Sequence, residues 1–167
     1  MMFFSKNMMF LDNEFNNSDE LFDFVYKKAL ENGLVREGFC EAIKEREKNY
    51  PTGLPGTAVD IAVPHTDPEY VIEPFIAVLR CQKGVPFVQM GSDDMIIHPK
   101  LFFVLGFKKE GCIQYQVKAL QLLIEYFIVT DNGRLANEFM QDGPEQCMEK
   151  LFELEKTLLG QDEKGGS

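Results

Sequence analysis

The chain of 167 residues contains no tryptophan and only two histidines, His65 and His98. Its four cysteines, Cys40, Cys81, Cys112 and Cys147, form no CxxC pair, and none stands beside a histidine. That spacing fits neither a zinc site nor a dense disulfide framework, so the cysteines read as free thiols of a reducing compartment. Basic residues are scarce: 17 Lys and Arg against 27 Asp and Glu leave a net charge of -10. A field of that sign repels nucleic acid and anionic lipid and attracts a cationic protein partner. No apolar run approaches the ~20 residues of a membrane span. The longest, near LFFVLGF at 101–107, is far shorter. The opening MMFFSKNMMF is broken by Ser5, Lys6 and Asn7, without a continuous apolar region or a small-residue cleavage site. The expectation is a cytoplasmic protein with no membrane insertion.

Signature motifs are missing as well. There is no G-x-x-x-x-G-K-[ST], no G-x-G-x-x-G, no HExxH and no G-x-S-x-G. DGPEQ at 142–146 is not a calcium loop, and the adjacent Asp93 and Asp94 read as a solvated turn. No metal and no cofactor is expected.

What is present is a globular composition. With 45% hydrophobic residues, 15 of them Phe, the chain can bury a substantial core, and its length fits one domain. We take residues 1–160 as that domain and the polar QDEKGGS, 161–167, as a disordered tail. A short strand is expected within 8–15. Residues 16–33 predict a helix with Asn17 as N-cap, Glu20 completing a capping box, Leu21, Val25 and Ala29 on one face and Gly33 at the end. A second helix is expected over about 36–48. NYPTGLPG, 49–56, reads as a loop. Strands are expected at 58–65, 73–81 and 100–107, the last nearly all apolar and so central. QKGVPFVQMGSDD reads as loops with a short extended piece. Helices follow from about Gln114, over Asn132–Met140 and over 144–159. The order of elements predicts a single α/β domain, a mixed β-sheet with helices packed against it.

Two residues stand out. In the second helix Phe39, Ala42 and Ile43 form the apolar stripe, and helical spacing puts Arg46 on the same face. Lys44, Glu45, Glu47 and Lys48 point elsewhere. In AVDIAVPH, Val59, Ile61, Val63 and His65 share one parity, and Pro64 removes a ladder donor just where the histidine stands. A neutral imidazole is a good nucleophile near neutral pH, and an arginine fork pairs with phosphoryl oxygens. Phosphoryl transfer needs little more than in-line positioning and cationic stabilisation. His98, in MIIHPK, has no motif around it and reads as structural or surface.

These residues carry a resemblance. REKNYPTGLPGTAVDIAVPHTD, 46–67, resembles the signature of the enzyme IIA components of the bacterial phosphoenolpyruvate-dependent sugar phosphotransferase system, mannitol/fructose type. PTGL, the longer loop before the histidine and QVKALQLLIEYF at 116–127 look most like the galactitol branch. The resemblance implies an enzyme, a phosphotransferase. His65 would accept a phosphoryl group from the phosphorylated histidine phosphocarrier protein and pass it to a cysteine of a IIB component. That component in turn serves the IIC membrane permease, which selects the sugar. Arg46 would be the supporting arginine. Mannitol-type members place a second histidine at the start of the helix after the central strand. Here that stretch reads GCIQYQ, so Gln114 and Gln116, together with Thr66, are the candidates for supporting roles. A regulatory IIA-like domain that acts by phosphorylation-dependent binding is the alternative. An accessible site is expected, a shallow depression ringed by apolar side chains from Tyr50–Pro55 and from the helix start near Gln114.

Overall fold

Two six-residue strands, β4 (Phe75–Arg80) and β7 (Leu101–Gly106), pair antiparallel over their full length at the centre of the molecule. Every residue of both is buried. Successive side chains point to opposite faces of a sheet, and here both faces are covered, which is why these runs are apolar without alternation. The computed structural model describes residues 3–160, the side chains of 111–113 excepted, so Cys112 and the tail 161–167 lie outside the described residues.

Short strands flank the central pair. β1 (Met9–Phe10) runs parallel to β4; β3 (Ile61–Ala62) runs parallel to β7; β2 (Gly53–Leu54) closes the edge antiparallel to β3. The order is β1-β4-β7-β3-β2. Helices α1 (Ser18–Glu31) and α2 (Phe39–Asn49) cover one face, burying Leu21, Phe22, Val25, Phe39 and Ile43 against Ala62, Ala77, Leu79, Phe102 and Val104. The other face carries α3 (Lys109–Ile124), α4 (Arg134–Phe139) and α5 (Pro144–Gly160), with Leu123, Phe139, Leu151 and Leu154 packed on Ile61, Val63, Val78 and Phe103. This is the α/β class expected, a mixed sheet with helices packed on it.

Local signals act as their chemistry requires. Asn17 accepts the Glu20 N–H at 2.9 Å, and the Glu20 carboxylate reaches back to the Asn16 N–H at 2.9 Å. The helix then stops before Gly33, whose φ of 70° is open to glycine. Two buried charges were not marked by the sequence pattern. The Arg80 guanidinium donates to the carbonyls of Leu11 (3.1 Å), Phe139 (2.8 Å) and Asp142 (2.7 Å), tying β4 to both chain halves. Glu155 on α5 accepts the N–H groups of Phe3 and Phe4. Buried charges persist when hydrogen-bonded in this way.

Several expectations need correction. The loop 49–56 contains β2, because Gly53 and Leu54 pair with Ala62 and Ile61 across the proline turns. The strand at 58–65 is regular only at 61–62, since Pro64 lacks the N–H that would continue the ladder. The helix placed at Gln114 starts at Lys109 and runs on into a π-helical turn at Glu125–Val129. Residues 87–97 hold a hairpin, β5 (Phe87–Val88) with β6 (Ile96–Ile97), closed by a turn in which Ser92 Oγ accepts the N–H groups of Asp94 and Met95.

That hairpin docks on β2. Gly53 bridges Gln89, and its carbonyl accepts the Met90 N–H at 2.7 Å. A Cβ on Gly53 would stand 2.7 Å from the Val88 carbonyl oxygen, a backbone atom that cannot swing aside. Gly53→Ala is therefore expected to loosen the hairpin and destabilise the fold by about 1–3 kcal/mol, the range of an overpacked contact. The measurement is the urea midpoint, and a midpoint equal to wild type would show that the hairpin is not held by this approach.

Candidate functional site

The site lies at the carboxyl ends of the parallel neighbours β3 and β7. Their register, Ile61 opposite Leu101, continues to a bridge between His65 and Leu105, and the Leu105 N–H donates to the Pro64 carbonyl at 2.9 Å. His65 thus inherits a strand's placement just where pairing ends. It is half-buried, and its Nδ1 lies 2.9 Å from the Val63 carbonyl oxygen. A carbonyl can only accept, so Nδ1 carries the proton and Nε2 the lone pair. Burial pulls the His65 pKa below its ordinary 6.5, and Arg46 adds to this; the Val63 bond and Asp67 oppose it. The imidazole is neutral at neutral pH.

Arg46 stands in the last turn of α2 and lines the same depression as His65, a space of ≈ 500 Å³. The rest of its wall comes from Lys48, Asn49, Tyr50, Pro51 and Thr52 and from Val88 and residues 90–93 of the hairpin. On its other side Arg46 borders a smaller hollow with Thr66, Asp67 and Tyr70. The guanidinium sits 5.4 Å over the Tyr50 ring, and its Nη1 is 3.7 Å from Asp67 Oδ1, too long for a firm bond. Among the described residues, Arg46 Nε is the buried side-chain nitrogen without a hydrogen-bond partner. Such a group costs about 1–3 kcal/mol until an acceptor arrives.

The expected residues separate. His65 and Arg46 come together, and Thr66, buried, adjoins Arg46. The described walls of the two hollows do not include Gln114 or Gln116; Gln114 is exposed and Gln116 half-buried on α3. His98 is exposed near the hairpin's end. Apolar side chains do border the depression, but Val88 and Met90 of the hairpin join Tyr50 and Pro51 in doing so. Burial pushes the thiols up, to about 12 for Cys81 and about 11 for Cys40 and Cys147, so they stay protonated. None of the three lines the depression.

Glu47 corrects the expectation that it points away with its charged neighbours. Its carboxylate turns under the end of α2 and accepts the Thr52 N–H at 2.8 Å and the Thr52 hydroxyl at 2.8 and 3.0 Å. Burial pushes it up to about 7, against the Thr52 bonds and Arg46. Its partner lies beyond the helix, where helical spacing has no reach. Asp67 was also missed, although it follows His65 closely in HTD. A larger groove of ≈ 660 Å³ between α1, α2 and the hairpin shares Lys48, Asn49 and Val88 with the depression but holds neither histidine nor cysteine.

Comparison with known proteins bears on what this arrangement is. The family model described as "Phosphoenolpyruvate-dependent sugar phosphotransferase system, EIIA 2" matches residues 2–153. The mannitol-specific phosphotransferase enzyme IIA component of Mycoplasma pneumoniae is 30% identical over 118 residues, 71% of this chain and 75% of that protein. The fold is that of the IIA mannitol crystal structure from Escherichia coli, with a TM-score of 0.66 at 19% identity over 90% of this chain and 97% of that one. It is also that of enzyme IIA mannitol in complex with phosphorylated enzyme IIB mannitol from Escherichia coli, with a TM-score of 0.56 at 21% identity, covering 84% and 99%. The chain belongs to the EIIA type 2 family of the phosphoenolpyruvate-dependent sugar phosphotransferase system, whose members are phosphotransferase enzymes.

Proposed function

We propose that His65 is the phosphoryl acceptor of this chain and that Nε2 is the attacking atom. The observation that carries the reading is the bond from Nδ1 to the Val63 carbonyl, which leaves the lone pair on Nε2 of a ring that lines an open depression together with Arg46. Nε2 attacks the phosphorus of a phosphohistidine on the histidine phosphocarrier protein. The Nε2–P bond forms as the donor's N–P bond breaks, and the electron pair returns to the donor imidazole. The new phosphohistidine keeps its Nδ1–H on Val63 O, which stabilises the positive ring. Arg46 offers its unpaired Nε–H and its fork to the equatorial oxygens, exchanging the loose contact with Asp67 for a charge-assisted one. A cysteine thiolate of a IIB component then attacks the same phosphorus, and the Nε2–P bond breaks.

The IIB partner is supported by the Escherichia coli complex, and the IIC permease follows from the same relay. We propose further that residues 1–160 form the domain and that it acts in the cytoplasm; separately, no helix among the described residues is long and apolar enough to cross a membrane. Thr66, Gln114 and Gln116 are proposed as supporting residues, Thr66 by its contact with the Arg46 hollow. The galactitol-like branch rests on the PTGL loop and the α3 sequence, whereas the curated relative is mannitol-specific.

Incubation with phosphoenolpyruvate, enzyme I and the phosphocarrier protein should label wild type and leave His65→Ala unlabelled but folded. Labelling of His65→Ala at the wild-type rate contradicts the assignment. Arg46→Ala should slow transfer about 30- to 1000-fold, the effect of about 2–4 kcal/mol of lost transition-state stabilisation. Arg46→Lys should recover only part of it, because a point charge lacks the fork.

The acceptor rate should rise with pH and level off, with its midpoint below ~6.5, because the lone pair is lost on protonation. The same lowered pKa makes His65 a source of stability that is present above ~6.5 and lost as pH falls through the folded-state value. Glu47, raised from 4.5 to about 7, acts in the opposite sense: its contribution is complete below 4.5 and is lost as pH rises through about 7. NMR titration of the His65 ring checks the first point, and a midpoint at or above 6.5 contradicts it.

A further inference from the structure

A carboxylate that sits under a helix end and spends its bonds on one threonine asks for a reason. Glu47 is in the last turns of α2, where the negative end of the helix dipole opposes an acid. It is also half-buried, which opposes its charge again. Its hydrogen bonds go to Thr52, which is itself 3% exposed. Thr52 begins the path back to the sheet after the Tyr50–Pro51 turn. Its N–H would otherwise be buried without a partner, since β2 begins one residue later.

From Thr52 the bonds run on to the nucleophile. The Thr52 carbonyl accepts the Val63 N–H at 3.3 Å, one step beyond the β2–β3 pairs. The Val63 carbonyl accepts the proton on His65 Nδ1 at 2.9 Å. Leu105 fixes the next peptide by donating to Pro64 O at 2.9 Å. Val63 is therefore gripped from two sides. On one, β7 holds its neighbours Ala62 and Pro64; on the other its own N–H is held by Thr52, whose place is set by Glu47. Loss of the Glu47 grip would let Thr52 shift, then the Val63 peptide, then the acceptor that selects the His65 tautomer.

We propose that Glu47 is a positioning residue for the nucleophile, acting on His65 through Thr52 and Val63 to hold the ring with its proton on Nδ1. The role in transfer rests on the reading of His65 as the phosphoryl acceptor; the effect on the ring does not. The requirement is for hydrogen bonds to the Thr52 N–H and hydroxyl, not for charge. A glutamine at 47 meets it, with its amide oxygen accepting the Thr52 N–H and its amide N–H donating to Thr52 Oγ.

The test reads two quantities in wild type, Glu47→Ala, Glu47→Gln and Thr52→Val. One is the pair of His65 ring 15N shifts in the unphosphorylated protein at a pH where the ring is neutral. The other is kcat and KM for phosphoryl transfer from the phosphorylated phosphocarrier protein. In Glu47→Ala the ring should move from the Nδ1–H form toward the tautomer mixture of free imidazole. kcat should fall about ten- to a hundredfold, as for a misplaced reacting group, with KM changed less than about twofold. Glu47→Gln should restore both readings, and Thr52→Val, which keeps the backbone N–H, should fall between. Wild-type ring shifts and kcat in a folded Glu47→Ala overturn the proposal whatever its melting temperature, as does a Glu47→Gln that behaves like the alanine variant. If Glu47→Ala does not fold, wild-type shifts in Thr52→Val overturn it instead. Because the shifts need no phosphoryl donor, they still decide the Glu47 link if wild type proves not to accept a phosphoryl group, an outcome that would sink the acceptor reading alone.

Discussion

The bond from His65 Nδ1 to the Val63 carbonyl is the interaction on which the site turns. It decides which ring nitrogen can attack, and it fixes the ring's direction. It exists because β3 is held on both sides, by β7 on one and by β2 on the other. Remove either pairing and the Val63 peptide is no longer a fixed acceptor. The buried central pair β4–β7 supplies the rigid floor, since each fully buried Leu or Phe stabilises by roughly 1.5–3 kcal/mol. The depression above it is made from turns, as befits a surface that other proteins must reach.

Electrostatics complete the arrangement. The molecule carries a net charge of -10, yet the proposed nucleophile, His65, lines one depression with Arg46 and Lys48. The net negative charge suits a cationic partner, while on the proposed reading Arg46 meets the phosphoryl group. Arg46 is held lightly, by a 3.7 Å contact with Asp67 and by the Tyr50 face, so changing partner costs little. A carrier must also let its phosphoryl group go. On the proposed reading, Arg46, a neutral imidazole and an open depression that Lys48 also lines would stabilise the group without trapping it.

His65 and Arg46 were legible in the sequence because each violates a local pattern, a histidine closing an apolar strand parity and a charge on an apolar helix stripe. The apolar strands 75–80 and 101–106 and the capped helix at 18–31 were legible for the same reason, since period and caps are local properties. Glu47 was not legible, because its role depends on the chain turning at Pro51 and bringing Thr52 back beneath the helix. β2 was hidden in a loop of prolines and glycines, where pairing with β3 overrides local preference. The β5–β6 hairpin lacks clear alternation, and its partner across the sheet edge, Gly53, has no side chain to signal it. The glutamines were named because the resemblance puts a supporting residue at the start of the helix after the central strand; that helix starts at Lys109, which puts Gln114 in its second turn, exposed.

The central claim is that the protein itself chooses Nε2. It is tested most directly by phosphorylating the uniformly 15N-labelled chain and locating the phosphorus by its coupling to the ring nitrogens of His65. The account predicts a single species with phosphorus on Nε2 and a proton retained on Nδ1. Phosphorus on Nδ1 would mean that the bond to Val63 is broken during transfer, and it would contradict the account at its root.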